Sequence, residues 1–193
     1  TVGTTSTDGV FIDSVQILKG DYSGPGGAKA VMKDSTVDCG VLEVVRGSII
    51  RRGLGFEKCD VGVLLNVTSD HLGFGGIETL EELARLKSSV PEAVKPGGYG
   101  ILNGDDPLAI SRKDKIKGHT VIFSKDPNNK ILKENLINGN FNVTTFDEKI
   151  IIQKPGGVLD IANINEIPIT FEGRAGFNVE NVMAAVGAAY ALG

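Results

Sequence analysis

Three side chains in this sequence carry types and spacings that suggest chemistry: a carboxylate at Glu43, an imidazole at His71 and an amine at Lys87. Glu43 falls inside the apolar run Val41-Leu42-Glu43-Val44-Val45, where a lone carboxylate loses its hydration and needs a compensating partner. That partner is either an arginine, Arg46, Arg51 or Arg52, or a magnesium ion held at the carboxyl end of a strand, where α/β sheets place their ligands. His71 follows Asp70 in a loop rich in glycine (Gly73, Gly75, Gly76) that leaves the next apolar strand, so it reads either as a surface residue or as a member of a site. Lys87 lies on the apolar stripe Leu80, Leu83, Ala84, Val90, Val94 of a helix that opens with the capping box Thr79-Leu80-Glu81-Glu82. It either snorkels to water or occupies a desolvated site where a neutral amine is available to react. Asn178 is expected as the N-cap of the last helix, which leaves Asn181, one turn on, with the donor and acceptor that a purine edge requires.

These residues need a scaffold that brings strand ends together, and the apolar pattern supplies one. Val37 to Val45 and Val61 to Val67 are nearly continuous β-branched runs, the pattern of parallel strands covered on both faces. Helices are expected over Ala28 to Lys33 and Thr79 to Val94. Further strands are expected at Tyr99 to Leu102, after the turn Lys95-Pro96-Gly97-Gly98, and at Thr120 to Phe123. The resulting fold class is α/β, a doubly wound, mostly parallel sheet flanked by helices. From Phe141 to Phe171 the period shortens, predicting a small antiparallel subsheet over about 140–172, and the Ala- and Gly-rich segment Asn178 to Leu192 predicts a closing helix stopped at Gly193. Thr1 to Gly9 reads as a strand and its turn, so the fold is expected to open in mid-sheet. The whole of 1–193 is read as one domain truncated at its N-terminus.

Composition removes several classes of function. With 193 residues, 41% apolar content and a net charge of −4, the chain can bury one core but offers no basic field for displacing counterions from nucleic acid. No apolar run approaches the roughly 20 residues of a membrane span, and a soluble, cytoplasmic protein without membrane or nucleic-acid partners is expected. Cys39 and Cys59 have no partner at zinc-like spacing, so a sulfur metal site is not expected.

Four ordered segments resemble one family. Val41 to Phe56, ending in the loop Arg51-Arg52-Gly53-Leu54-Gly55-Phe56, and then Cys59-Asp60-Val61-Gly62-Val63 come first. Asn66-Val67-Thr68-Ser69-Asp70-His71-Leu72-Gly73, Leu102-Asn103-Gly104-Asp105-Asp106-Pro107 and Gly173 to Asn181 follow. Together they resemble the central, ATP-using domain of the Mur ligases and folylpolyglutamate synthases, most closely the cyanophycin synthetase branch, whose arginine- and glycine-rich loop generic Mur ligases lack. The resemblance covers nearly the whole chain. It implies an ATP-dependent acid–amino-acid ligase in which ATP converts a carboxylate to an acyl phosphate, an amine attacks and phosphate leaves. The carboxylates would belong to aspartates of an acidic polypeptide and the amine to arginine, with a muramyl-peptide or folylpolyglutamate-type ligase, or a non-catalytic fragment, as alternatives. Glu43 and His71 would hold Mg2+, joined by Lys87 if carbamylated. Asn66, Asn178 and Asn181 would face ATP, although Phe177 stands where many family members carry His. Gly24-Pro25-Gly26-Gly27-Ala28 is similar to a turn near the polymer-binding side, and Arg46, Arg51 and Arg52 suit an acidic polymer because guanidinium binds carboxylate bidentately. The family's phosphate-binding loop lies upstream of the strand that begins here, so this piece alone is expected to bind nucleotide weakly and to be inactive, and the full-length protein is expected to be a homo-oligomer.

Overall fold

The computed structural model describes residues 1–69, 72–73 and 75–193. The chain divides into two compact units, the first formed by Thr1–Glu57 with Gly73–Gly76, the second by Lys58–Leu72 with Ile77–Gly193.

The first unit is built on a four-stranded sheet. Strands β1 (Val2–Thr5), β2 (Gly9–Ile12) and β3 (Val15–Lys19) form an antiparallel meander, and β4 (Cys39–Leu42) pairs with β1 in parallel. The β2–β3 turn places Asp13 and Ser14 at positive φ, the hairpin geometry that matches strand twist. Neither strand was foreseen, because Asp-Ser is a weak turn signal beside Asn-Gly. Helix α1 (Pro25–Lys33) covers one face of this sheet through Ala28 and Val31, and the short α2 (Arg46–Arg52) follows β4. The expectation of a long core strand over Val37 to Val45 is corrected. β4 is four residues long, pairs only with β1 among the described residues, and leaves Val41 58% exposed.

The second unit carries the mostly parallel sheet that the pattern predicts. Its strands are β5 (Cys59–Leu64), β6 (Val94–Asn103), β7 (His119–Ser124), β8 (Asn142–Phe146), β9 (Lys149–Lys154) and β10 (Gly157–Asn163), in the spatial order β10-β9-β8-β7-β6-β5. β5 to β8 run parallel, while β9 and β10 return antiparallel, so the short-period region extends the main sheet. Side chains alternate between two cores. Ile101, Val121, Phe123 and Val143 face helix α7 (Gly176–Leu192), which adds Val179, Met183 and Ala184. Leu64, Leu102 and Ile122 face α3 (Leu80–Lys87), α5 (Pro107–Ile110) and α6 (Lys130–Ile137). β7 is thus covered on both sides, which is why its sequence shows an unbroken apolar run. Each fully buried Ile or Phe there contributes roughly 1.5–3 kcal/mol.

The helix expected over Thr79 to Val94 is interrupted. α3 ends at Lys87, Ser88 spends its hydroxyl on Arg85 C=O and Glu92, and α4 (Ser89–Glu92) is a separate turn leading into β6. The Thr79–Glu82 capping box forms as expected.

A buried polar network locks α6 to the sheet. Asn135 Nδ2 donates to Thr120 C=O (3.0 Å), Phe141 C=O (3.2 Å) and Asn142 Oδ1 (2.8 Å), and its Oδ1 accepts Thr120 Oγ1 at 2.8 Å. Asn135 and Asn142 are both fully buried, so each lost bond leaves a dry polar group. Asn135→Ala is expected to lower unfolding free energy by about 3 kcal/mol, read by urea titration. Cys59 offers a second test. Burial, aided by the charge of Asp60, pushes its thiol up to about 11. Alkylation of Cys59 at pH 8 should run roughly two orders of magnitude slower than that of a free thiol and climb toward pH 11, as followed by mass spectrometry.

Candidate functional site

In the first unit, residues far apart in sequence line one polar cleft of about 500 Å³: Asp21 to Gly27 on one side, Val45, Gly47, Ser48, Arg51 and Arg52 on the other. The first wall is the N-terminal turn of α1, with Gly24 at the N-cap, Pro25 at the first helical position and no side-chain cap. Pro25 has no N–H to leave unpaired there, and the turn directs the positive end of the helix dipole outward. The second wall is α2, anchored where Val45 N–H donates to Ser23 C=O at 3.3 Å. Small residues allow the walls to meet. A Cβ at Gly24 would overlap Ser48 Oγ, and one at Gly55 would come within 2.6 Å of Pro25 Cα. A Cβ at Gly26 would meet nothing within 4 Å, so that residue faces open cleft. Asp21 lies in the lining too. Its carboxyl is held below the usual range first by the Ser23 hydroxyl and then by the Ser23 backbone N–H, so its charge is engaged locally.

Of the expected substrate-side residues, Gly24, Pro25, Arg51 and Arg52 therefore share this cleft. Arg46 opens α2 and is not among the residues that line it. Ser48 is a lining residue that sequence reading missed; its signal was its place one turn before Arg51 and Arg52 on the same short helix.

Glu43 is not buried. It stands just beyond β4, exposed, and Oε2 accepts Thr7 N–H at 3.1 Å while its own N–H donates to Thr5 Oγ1 at 3.0 Å. The desolvation expected for it does not arise, because the sheet edge there is open to water. The carboxylate remains a hard oxygen donor of the type magnesium accepts. His71 lies outside the described residues. Lys87 belongs to the second unit, half-buried at the end of α3, where Nζ donates to Asn66 C=O at 3.2 Å. Among the described residues no three His, Cys, Asp or Glu side chains gather as a metal site.

The carboxyl ends of the parallel strands in the second unit form an edge dense in polar contacts. Asn66 is exposed just past β5. After β6, Asp105 accepts Lys125 N–H at 2.8 Å, the Ser124 hydroxyl and Asn129 Nδ2 at 3.2 Å. Lys125, just past β7, pairs with Glu180 of α7 at 2.5 Å. Asn178 does not cap α7: the helix begins two residues earlier, with Ala175 at the N-cap. A tight turn through Phe171, Glu172 and Gly173, all at positive φ, starts the helix early. Asn178 instead donates to Ile169 C=O at 2.6 Å, and Asn181, exposed, donates to Asn178 Oδ1 at 3.4 Å.

A mostly parallel α/β sheet with polar loops gathered at its carboxyl edge defines a ligand-binding α/β domain. The family model for the Mur ligase middle domain matches residues 4–189, and the chain belongs to that family. It is 40% identical over its whole length to cyanophycin synthetase of Synechocystis sp. and 42% identical to that of Crocosphaera subtropica, spanning 22% of each. A UDP-N-acetylmuramoylalanine–D-glutamate ligase of Pelotomaculum thermopropionicum is 33% identical over 69% of the chain and 26% of that ligase. Among solved structures, a UDP-N-acetylmuramoyl-L-alanyl-D-glutamate–2,6-diaminopimelate ligase superposes with a TM-score of 0.65 at 18% identity, over 98% of this chain and 37% of its own. FolC of E. coli does so with a TM-score of 0.54 at 14% identity, over 100% and 46%. These likenesses establish the expected α/β fold.

The close approach at the cleft is testable. Gly24→Ala should cost about 2 kcal/mol by driving Cβ into Ser48, and Ser48→Gly in the same chain should restore most of it. Gly26→Ala should be neutral or stabilising by up to about 1 kcal/mol. Thermal denaturation of the variants distinguishes the two positions.

Proposed function

We propose that this chain is the ATP-using domain of an amide-forming ligase that joins arginine to aspartate side-chain carboxylates of an acidic polypeptide. The observation that carries the reading is the cleft in the first unit. There two guanidinium groups, Arg51 and Arg52, stand across from the outward-directed N-terminus of α1 at Gly24-Pro25-Gly26. Both walls favour anions, the arginines through charge and planar hydrogen-bond geometry, the helix end through its dipole and backbone N–H groups. Repeated carboxylates on one chain match that lining better than a single neutral ligand would. The identity of 40% to a cyanophycin synthetase over 193 residues supports the same substrate class.

In this reading Asn66, Asn178 and Asn181 stand on the nucleotide side: the exposed Asn66 and Asn181 carry the donor and acceptor a base requires, and Asn178 holds Asn181 through its Oδ1. Mg2+ would offset the charge that builds on a transferring phosphoryl group. Glu43, His71 and Lys87 are proposed to serve that ion, Lys87 through a carbamate. A carbamate on Nζ keeps one N–H for the Asn66 carbonyl and adds an anionic oxygen pair, so the observed hydrogen bond is compatible with it. A full-length enzyme working on cellular arginine and polymer would act in the cytoplasm.

Replacing Arg51 and Arg52 together by Glu in the whole polypeptide should raise KM for an aspartate-rich primer roughly tenfold, with a smaller change in KM for ATP. The primer effect should shrink as salt rises, since exposed charges are screened. Steady-state kinetics at two ionic strengths decide it: an unchanged primer KM removes the acidic polymer from this cleft.

A further inference from the structure

The peptide unit joining Asn66 to Val67, just past the carboxyl end of β5, is held at both poles. Its carbonyl oxygen accepts Lys87 Nζ at 3.2 Å, and its N–H, that of Val67, donates to Asp106 Oδ2 at 2.6 Å. The groups match the peptide's two poles, an N–H donor from Lys87 at the carbonyl oxygen and a carboxylate acceptor at the N–H. Val67 is 7% exposed, so its N–H has little access to water should that carboxylate oxygen be removed.

Asp106 divides its two oxygens between two tasks. Oδ1 caps α5, accepting Leu108 N–H at 2.8 Å and Ala109 N–H at 3.2 Å. Oδ2 reaches back 39 residues to Val67. Capping alone needs one acceptor, which Asn supplies as well as Asp. Holding Val67 at the same time needs a second acceptor, which only the carboxylate has, because an amide presents NH2 there.

We propose that Asp106 is a positioning residue: together with Lys87 it fixes the plane of the 66–67 peptide, and so sets where the Asn66 side chain stands and in which direction the loop after β5 departs. The functional half of this proposal rests on the reading of Asn66 as a nucleotide contact; the structural half does not.

Asp106→Asn separates the two tasks, since it preserves the helix cap and removes the acceptor for Val67. In the whole polypeptide, hydrogen exchange at the Val67 amide, resolved by mass spectrometry with fragmentation, should speed up about tenfold or more. Exchange at the core amides of Val121 and Ile122 should rise far less than at Val67, and the unfolding midpoint should fall only slightly. Nucleotide titration and steady-state kinetics should show KM for ATP raised several-fold, with KM for the acidic primer unchanged. Asp106→Ala, which loses both tasks, should lower the unfolding midpoint further. Unchanged Val67 exchange in Asp106→Asn would overturn the proposal outright, as would a uniform rise across the core. Faster Val67 exchange with an unaltered KM for ATP would overturn the positioning role. A parent polypeptide that binds no nucleotide would defeat the nucleotide reading of Asn66 and the role built on it, while exchange at Val67 would still report whether Asp106 holds the peptide.

Discussion

Parallel strands that end together leave backbone groups with no ladder partner at one edge of the sheet, and in the second unit that constraint governs the polar side chains gathered at that edge. Side chains take over where the strands stop. Asp105 collects the Lys125 N–H, the Ser124 hydroxyl and Asn129; Asp106 joins the end of β5 to the start of α5; Lys87 meets the last carbonyl before the loop. The bonds from Val67 and Leu108 to Asp106 and from the Ser124 hydroxyl to Asp105 are partly buried, so they are worth more than exposed counterparts. Loops leaving such an edge start in fixed directions, which is the condition for a site built from several of them.

The first unit meets a different requirement, the close approach of two helix ends. Gly24 and Gly55 are small because Ser48 and Pro25 stand against them, and the cleft exists because these contacts hold α1 and α2 at a set separation. Gly26 has no such neighbour. Two kinds of glycine therefore sit within three residues of each other, one demanded by packing and one bordering the open cleft. The lining carries two arginines and a single carboxylate already engaged by Ser23, a balance that would favour anions in the proposed function.

The expectations that failed share a cause. The run Val41 to Val45 looks the same whether or not a neighbouring strand covers it, so β4 and Glu43 were read as buried when Val41 is 58% exposed and Glu43 faces water. Asn178 has the side chain of an N-cap, but the turn at Phe171 to Gly173 moved the helix start upstream and gave the amide a carbonyl of Ile169 to hold. The hairpin at Asp13-Ser14 lacked a strong turn dipeptide, and its strands went unread.

What local pattern encodes was legible from the residues alone. The capping box at Thr79 and Glu82, the strand at β7, the short strands β8 and β9, and the Ala- and Gly-rich helix α7 follow from short-range sterics and hydrogen bonds between near neighbours, and the ordered motifs carried the family. The joining of distant groups was decided only in three dimensions. That Ser48 would stand against Gly24, or that Asp106 would hold the N–H of Val67, depends on how whole elements pack, and the energy of such contacts is set by burial and distance that no stretch of neighbouring residues contains.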